Sequence, residues 1–335
     1  MTSRLASLRT GSAGALLVRS AVLLAAVIVF VAFSLASSKF ATGANLRNIA
    51  VEGAGSAVMA VGMTFVIMTA GIDISIGAML FLSSAAASEL FTKGVPAVWI
   101  PLLAVLFGLL LGAVNGVTVG YLSMNPLIVT LATLNLYRGV AGHLTKFSTV
   151  YLPSQAQALG TSHIGSIPTP IVVATAVALA GIFLLRATVF GRYVQAVGSN
   201  AHAARELGLP VRWVLVSVYA ISGLTAGLAG LIENGRLGAV QPTVGTGEEL
   251  TVITAVVLGG ASLFGGRGSI VGSLLGVLIL EMVADGLVLA HLSPYLFDII
   301  RASVLLAAVL LAMAQGRLQR PLGGARRLRW GVTPG

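Results

Sequence analysis

Ten apolar stretches dominate the chain: residues 16–37, 49–70, 75–92, 96–121, 126–144, 169–187, 212–234, 249–263, 269–290 and 294–314. A bilayer core about 30 Å thick needs roughly 20 apolar residues in a helix. Most of the stretches reach that length. Two, 75–92 and 249–263, are short and glycine-punctuated, and read as either clean spans or re-entrant segments. The pattern predicts an all-α polytopic membrane protein, one domain over 1–335, with about ten transmembrane helices. The first stretch has a second reading as a cleaved signal peptide, since Arg4 and Arg9 precede it and small residues Ala36 and Ser38 lie at its end. Its apolar run exceeds the roughly 7–15 residues of a signal core, which favours a membrane span.

Two hydrophilic connections interrupt this pattern. Residues 145–168, with Pro153 and Pro168, read as a loop. Residues 188–213 carry a local helix signal: Asn200 can cap a short helix running through Arg205 and Glu206. Gly208 then ends that helix and Pro210 opens the next element. A capped helix of about two turns between membrane spans is expected to be a docking element.

Composition strengthens the membrane reading. Charged residues make up 9% of the chain and apolar ones 57%, whereas soluble domains carry about 25% charged residues. Mean hydropathy is +0.99. With 41 glycines, the helices can approach closely, as membrane helices do. The chain has no cysteine, which excludes disulfides, thiolate metal sites and cysteine nucleophiles. The net charge of +10 does not point to nucleic acid, because the basic residues concentrate in the tails and in one connection. With a cytoplasmic N-terminus and ten spans, Arg4, Arg9, Arg205, Arg212 and the arginines of the tail 315–335 fall inside, while Lys39, Lys93 and Lys146 fall outside. That is the expected positive-inside bias, with both termini and the tails 1–15 and 315–335 cytoplasmic.

The chemistry of enzymes is missing. A phosphate-binding loop needs Lys followed by Ser or Thr, but Lys39, Lys93 and Lys146 precede Phe, Gly and Phe. No His-Glu-x-x-His or Gly-x-Ser-x-Gly pattern occurs. The expected product is a transport subunit, not an enzyme, with no cofactor and any ATP hydrolysis on a separate chain. Polar groups inside the apolar pattern are candidates for a hydrophilic route or for helix–helix hydrogen bonding. They include Asn115, Asn125, Asn135, Glu233, Glu281 and Asp285. Gly71-Ile72-Asp73-Ile74-Ser75-Ile76-Gly77 is a separate polar break, in which Asp73 either faces a pathway or caps the following helix. Gly259-Gly260 through Gly268 is a glycine-rich break that reads as a tight turn between packed spans.

Taken in order, these motifs resemble the ribose-type sugar permeases of ATP-binding-cassette importers. The resemblance rests on Gly62-Met63-Thr64-Phe65-Val66-Ile67 and the 71–77 break, Asn125-Pro126-Leu127-Ile128-Val129-Thr130-Leu131 with Tyr137-Arg138-Gly139, and Phe190-Gly191-Arg192-Tyr193. Further on it rests on 196–208 and on Gly245-Thr246-Gly247-Glu248-Glu249-Leu250 through Gly268. It covers about residues 45–315. Ala70 and Ile74 depart from the usual glycine and leucine of the family.

The resemblance implies the larger importer fold, a second permease copy, cytoplasmic ATP-binding subunits, a periplasmic or extracellular sugar-binding protein, and a cell inner-membrane location. It makes 188–213 the coupling loop and 196–208 the coupling helix that fits a cleft on the ATPase, with Ala196, Gly198, Asn200, Ala203, Ala204, Arg205, Glu206 and Gly208 as coupling residues. Gly71, Asp73, Ser75, Asn115, Asn125, Asn135 and Glu249 become pathway or gating candidates. The nearest alternative is a branched-chain amino-acid permease of the same superfamily. An ion-coupled secondary transporter, using Asp73, Glu281 or Asp285, is the alternative from another class. Pentoses, hexoses and polyols are all compatible with the sugar reading.

Overall fold

A computed structural model describes residues 21–293 and 295–318. The expected tail 1–15 and most of the tail 315–335 lie outside the described residues. The chain forms helices α1 (Ala21–Ala36), α2 (Gly43–Glu52), α3 (Ala54–Met68), α4 (Ile76–Thr92), α5 (Ile100–Gly120) and α6 (Pro126–Thr145). There follow α7 (Ser154–Thr161), α8 (Thr169–Ala187), α9 (Val189–Ser199), α10 (Ala201–Glu206), α11 (Val211–Leu237), α12 (Glu248–Leu258), α13 (Ile270–Leu289) and α14 (Tyr295–Leu318).

Each of the ten apolar stretches becomes a helix. Among the described residues four helices are long and apolar enough to cross a membrane: α5 with the short turn before it (Ala97–Gly120), α8, α11 and α13. The bent pair α2–α3, with 45° between its halves, makes a fifth. The stretch 249–263 is helical only over the 11 residues of α12, about 17 Å at 1.5 Å per residue, which is half a bilayer core.

The connection 145–168 is not a plain loop. It contains α7 and short antiparallel strand pairs, β1 (Val150–Tyr151) with β4 (Ala239–Val240) and β2 (His163–Ile164) with β3 (Ile167–Pro168). α7 is held because Gly160 lies flat against the Gly235–Arg236 backbone at the end of α11. Proline and small polar residues hid this element, since its stabilising contact lies far away in sequence.

Glycine sets the packing at the centre of the bundle. Gly108, Gly112, Gly116 and Gly120 recur every fourth residue on α5 and form one stripe. That stripe meets the backbone of α11 along Arg212, Val216, Tyr219, Gly223 and Gly227. A methyl group at Gly112 would run into the Tyr219 carbonyl, so the two backbones touch as in small-residue membrane helix pairs. Leu102, Leu106, Leu110 and Val114 recur four apart on α5 and are exposed. In water this stripe would be a liability, whereas in lipid it is the favoured surface. α3, by contrast, is buried over nearly its whole length and forms the core around which the other helices pack.

Candidate functional site

Two features meet where α3 ends. The first is the break at 69–75. Helix α3 stops at Thr69, Ala70 takes a left-handed φ of +60°, and α4 starts at Ile76. Gly71 fits because a Cβ there would come within 2.7 Å of the Tyr219 hydroxyl. Asp73 is fully buried. Its Oδ1 accepts from the Ser75 N–H at 3.1 Å and from the Ser75 hydroxyl at 2.7 Å, and its Oδ2 accepts from Ser222 at 2.8 Å. A buried carboxylate is tolerated when its oxygens are hydrogen-bonded in this way.

The bonding continues outward from Ser75. Asn115 Nδ2 donates to Ser75 Oγ at 2.8 Å, and the Tyr137 hydroxyl stands 3.2 Å from Asn115 Oδ1 and 3.1 Å from the Leu111 carbonyl. Thr130 adds a tie to the Ile72 carbonyl at 3.1 Å. One relay, Ser222–Asp73–Ser75–Asn115–Tyr137, therefore pins the break to α11, α5 and α6.

Three predicted site residues, Asp73, Ser75 and Asn115, share this relay, and Gly71 borders it. The others lie elsewhere. Asn125 caps α6 by accepting from Leu127 N–H at 2.9 Å, and Asn135 donates to the Leu131 carbonyl at 3.0 Å on an exposed face. Glu249 opens α12 and points at Gly77, where a Cβ would sit 2.7 Å from its Oε2. Near it, Arg138 donates to the Val244 carbonyl at 3.3 Å. Asp285 accepts from Asn45 at 2.7 Å, and Glu281 lies over Gly53, so both face α2 and stand apart from Asp73. Ser222 and Tyr219 carried no signal in the sequence: each is one small or amphipathic residue within a long apolar helix.

The second feature is the α9–α10 connection. Thr188 caps α9 by accepting from Gly191 N–H at 3.4 Å. The segment 196–208 is not one helix, since α9 ends at Ser199 and the chain turns at extended Asn200 before α10. Asn200 Oδ1 accepts from Ala203 N–H at 3.0 Å, and Gly208, at φ +78°, closes the far end. Ala196 accepts from the Asn200 N–H at 3.1 Å. Ala204 is the buried anchor of α10, with Ala203 half-buried beside it, while Arg205, Glu206 and Leu207 face outward. Among the described residues Glu206 pairs with His202, at 3.4 Å.

Gly198 joins the two features. A Cβ on Gly198 would overlap the Met68 carbonyl at the end of α3. That carbonyl also accepts from Gly266 N–H at 2.9 Å. The glycine-rich break 259–268 is thus a tight turn clamped onto the end of α3. Backbone contact therefore links α9, immediately before α10, to the end of α3 that leads into the Asp73 break.

An all-α apolar bundle with several helices long enough to cross a membrane and a buried polar break between two of them is the architecture of a multi-pass membrane protein. The family model described as "Branched-chain amino acid transport system / permease component" matches residues 45–309, and the chain belongs to that family. It is 41% identical over 315 residues to the ribose import permease protein RbsC of Escherichia coli (strain K12), covering 92% of this chain and 98% of that one. It is 38% identical over 294 residues to RbsC of Bacillus subtilis (strain 168), covering 85% and 89%. To the D-allose transport system permease protein AlsC of Escherichia coli (strain K12) it is 35% identical over 293 residues, covering 85% and 88%. No solved structure matches it.

Proposed function

We propose that this chain is the membrane-spanning permease subunit of a sugar importer of the ATP-binding-cassette class. The observation that carries the proposal is the 41% identity to a ribose import permease over 92% of the chain. Further relatives are named for allose and xylose. The subunit crosses the inner membrane about ten times, with α12 as a partial span and both termini cytoplasmic. Two copies form the route, cytoplasmic ATPases drive it, and a sugar-binding protein delivers the cargo.

In this reading α10 is the coupling helix. Its outward Arg205, Glu206 and Leu207 offer one charged pair and one apolar knob to an ATPase cleft, with Leu207 80% exposed. ATPase closure pushes α10, Gly198 transmits the push to Met68, and the Asp73 break acts as the hinge that reorients α3 and α4. Asp73, Ser75 and Asn115 position the hinge, while Asn125, Asn135 and Glu249 are the pathway candidates on more open faces. The family's description keeps a branched-chain amino-acid cargo as the second reading.

Uptake of each cargo decides between the two readings. Cells carrying this permease should gain uptake of labelled ribose, allose or xylose over cells without it, and gain no uptake of labelled leucine. A gain for leucine alone would replace the sugar reading with the amino-acid one.

A further inference from the structure

The motifs Tyr137-Arg138-Gly139 and Gly245-Thr246-Gly247-Glu248-Glu249 meet in the fold without joining. Arg138 reaches from α6 to the connection ahead of α12, where its Nη1 donates to the Val244 carbonyl at 3.3 Å. Its Nη2 is buried and has no hydrogen-bond partner among the described residues. Glu249, in the first turn of α12, leaves its Oε2 in the same condition. The two charges lie within electrostatic reach of each other, yet each keeps its orphan atom. Each lacks what the other carries. A guanidinium N–H on a carboxylate oxygen is about twice as strong as a neutral hydrogen bond. Held apart in the interior, both groups bear an uncompensated cost. Such a pair stays open only where the backbone keeps it so.

The neighbouring contacts account for this. Glu249 is seated against Gly77 in the first turn of α4, where a Cβ would come within 2.7 Å of its Oε2 and would overlap the Gly245 carbonyl. The start of α12 is fixed to α14, because Arg301 Nη1 donates to the Gly247 carbonyl at 3.1 Å and to Thr251 Oγ1 at 2.8 Å. The connection that carries Val244 has more freedom. It ends in left-handed Gly245, φ +70°, with Gly247 at φ +84° just beyond. Glycine passes between left-handed and right-handed backbone at little steric cost, which suits these two positions to act as a hinge.

We infer that Arg138 and Glu249 form a latch between α6 and α12, open in this structure and closed in the opposite-facing state of the permease. On closing, the Arg138 guanidinium gives up the neutral Val244 carbonyl for the Glu249 carboxylate, and Glu249 leaves its seat on Gly77. That seat lies two residues beyond Ser75, which bonds Asp73, so the latch and the Asp73 break bear on the same end of α4. The inference rests on the permease reading, whose failure would show separately, as no sugar uptake by the unmodified chain.

The test sets sugar uptake at equal membrane levels beside the thermal midpoint of the full-length permease in lipid nanodiscs. Glu249→Gln should cut uptake about tenfold, the equivalent of one hydrogen bond between charged groups. Its midpoint should fall by no more than about 2 °C, since the open carboxylate gives up only its favourable place at the start of α12. Arg138→Gln should cut uptake as much, and the double variant no further than either one. Exchanging the charges, Arg138→Glu with Glu249→Arg, should recover most of the lost uptake. The glutamine variants carry the test by themselves if the exchanged chain fails to reach the membrane. Wild-type uptake in Glu249→Gln, or losses that multiply in the double variant, would overturn the inference. So would a clearly larger fall in the Glu249→Gln midpoint, the mark of a buried pair that is already closed and has been broken on one side.

Discussion

Ser222 donates to Asp73 across 149 residues of sequence, hydroxyl to carboxylate at 2.8 Å, inside the fully buried core. This bond closes the Asp73 relay onto α11. Ser222→Ala removes one hydrogen bond to a charged group and leaves a carboxylate oxygen short of a donor. The expected cost is about 1.5–3 kcal/mol, seen as a lower thermal midpoint in detergent and slower uptake. Asp73→Asn is more damaging, because an amide cannot accept from Ser75 and Ser222 on both of its ends at once. A midpoint and uptake equal to wild type in both variants would remove the relay from the account.

Gly198 is under a different constraint from Gly208. A methyl at Gly198 meets the Met68 carbonyl, whereas Gly208 has open space and needs only its φ of +78°. Gly208→Ala should therefore cost about 1–2 kcal/mol, the strain of a left-handed residue, and leave uptake measurable. Gly198→Ala must displace backbone and should abolish uptake. Equal uptake in the two variants would mean that the α9–α3 contact transmits nothing.

Ala70 occupies a left-handed conformation, φ +60°, which glycine adopts without strain. Ala70→Gly relieves that strain and should raise stability by about 1 kcal/mol. A thermal unfolding series on the purified permease checks this, and a lower midpoint would contradict it.

Arg205→Glu separates the coupling role proposed for α10 from folding. This side chain is exposed and bears no internal load, so membrane levels should match wild type while uptake is lost. Asn200→Ala removes the cap of α10 and costs about 1 kcal/mol locally, reducing uptake only in part. Full uptake by Arg205→Glu would detach α10 from the ATPase.

Much of the fold was legible in the sequence because apolar runs mark helices directly. The α10 cap was legible too, since Asn200 and Gly208 act within a few residues of themselves. What the sequence hid depends on distant contacts. α7 forms against Gly235 of α11, and Gly198 is seated on the Met68 carbonyl. The stretch 249–263 looked like a possible span, but its helix ends at Leu258, and glycines with positive φ at Gly260 and, just beyond the stretch, Gly265 and Gly266 turn the chain back onto the end of α3. Asp73 showed itself as an acid in an apolar stretch, whereas its partner did not. Ser222 is one hydroxyl among many, and only the α5–α11 glycine contact fixes which face it presents.

The most direct test of the central claim is the initial rate of labelled ribose, allose and xylose uptake in a strain deleted for this gene. Uptake of at least one of these sugars should be lost on deletion, return with the wild-type gene, and stay absent with Arg205→Glu at equal membrane levels. Unchanged uptake of all three sugars in the deletion strain would contradict the account.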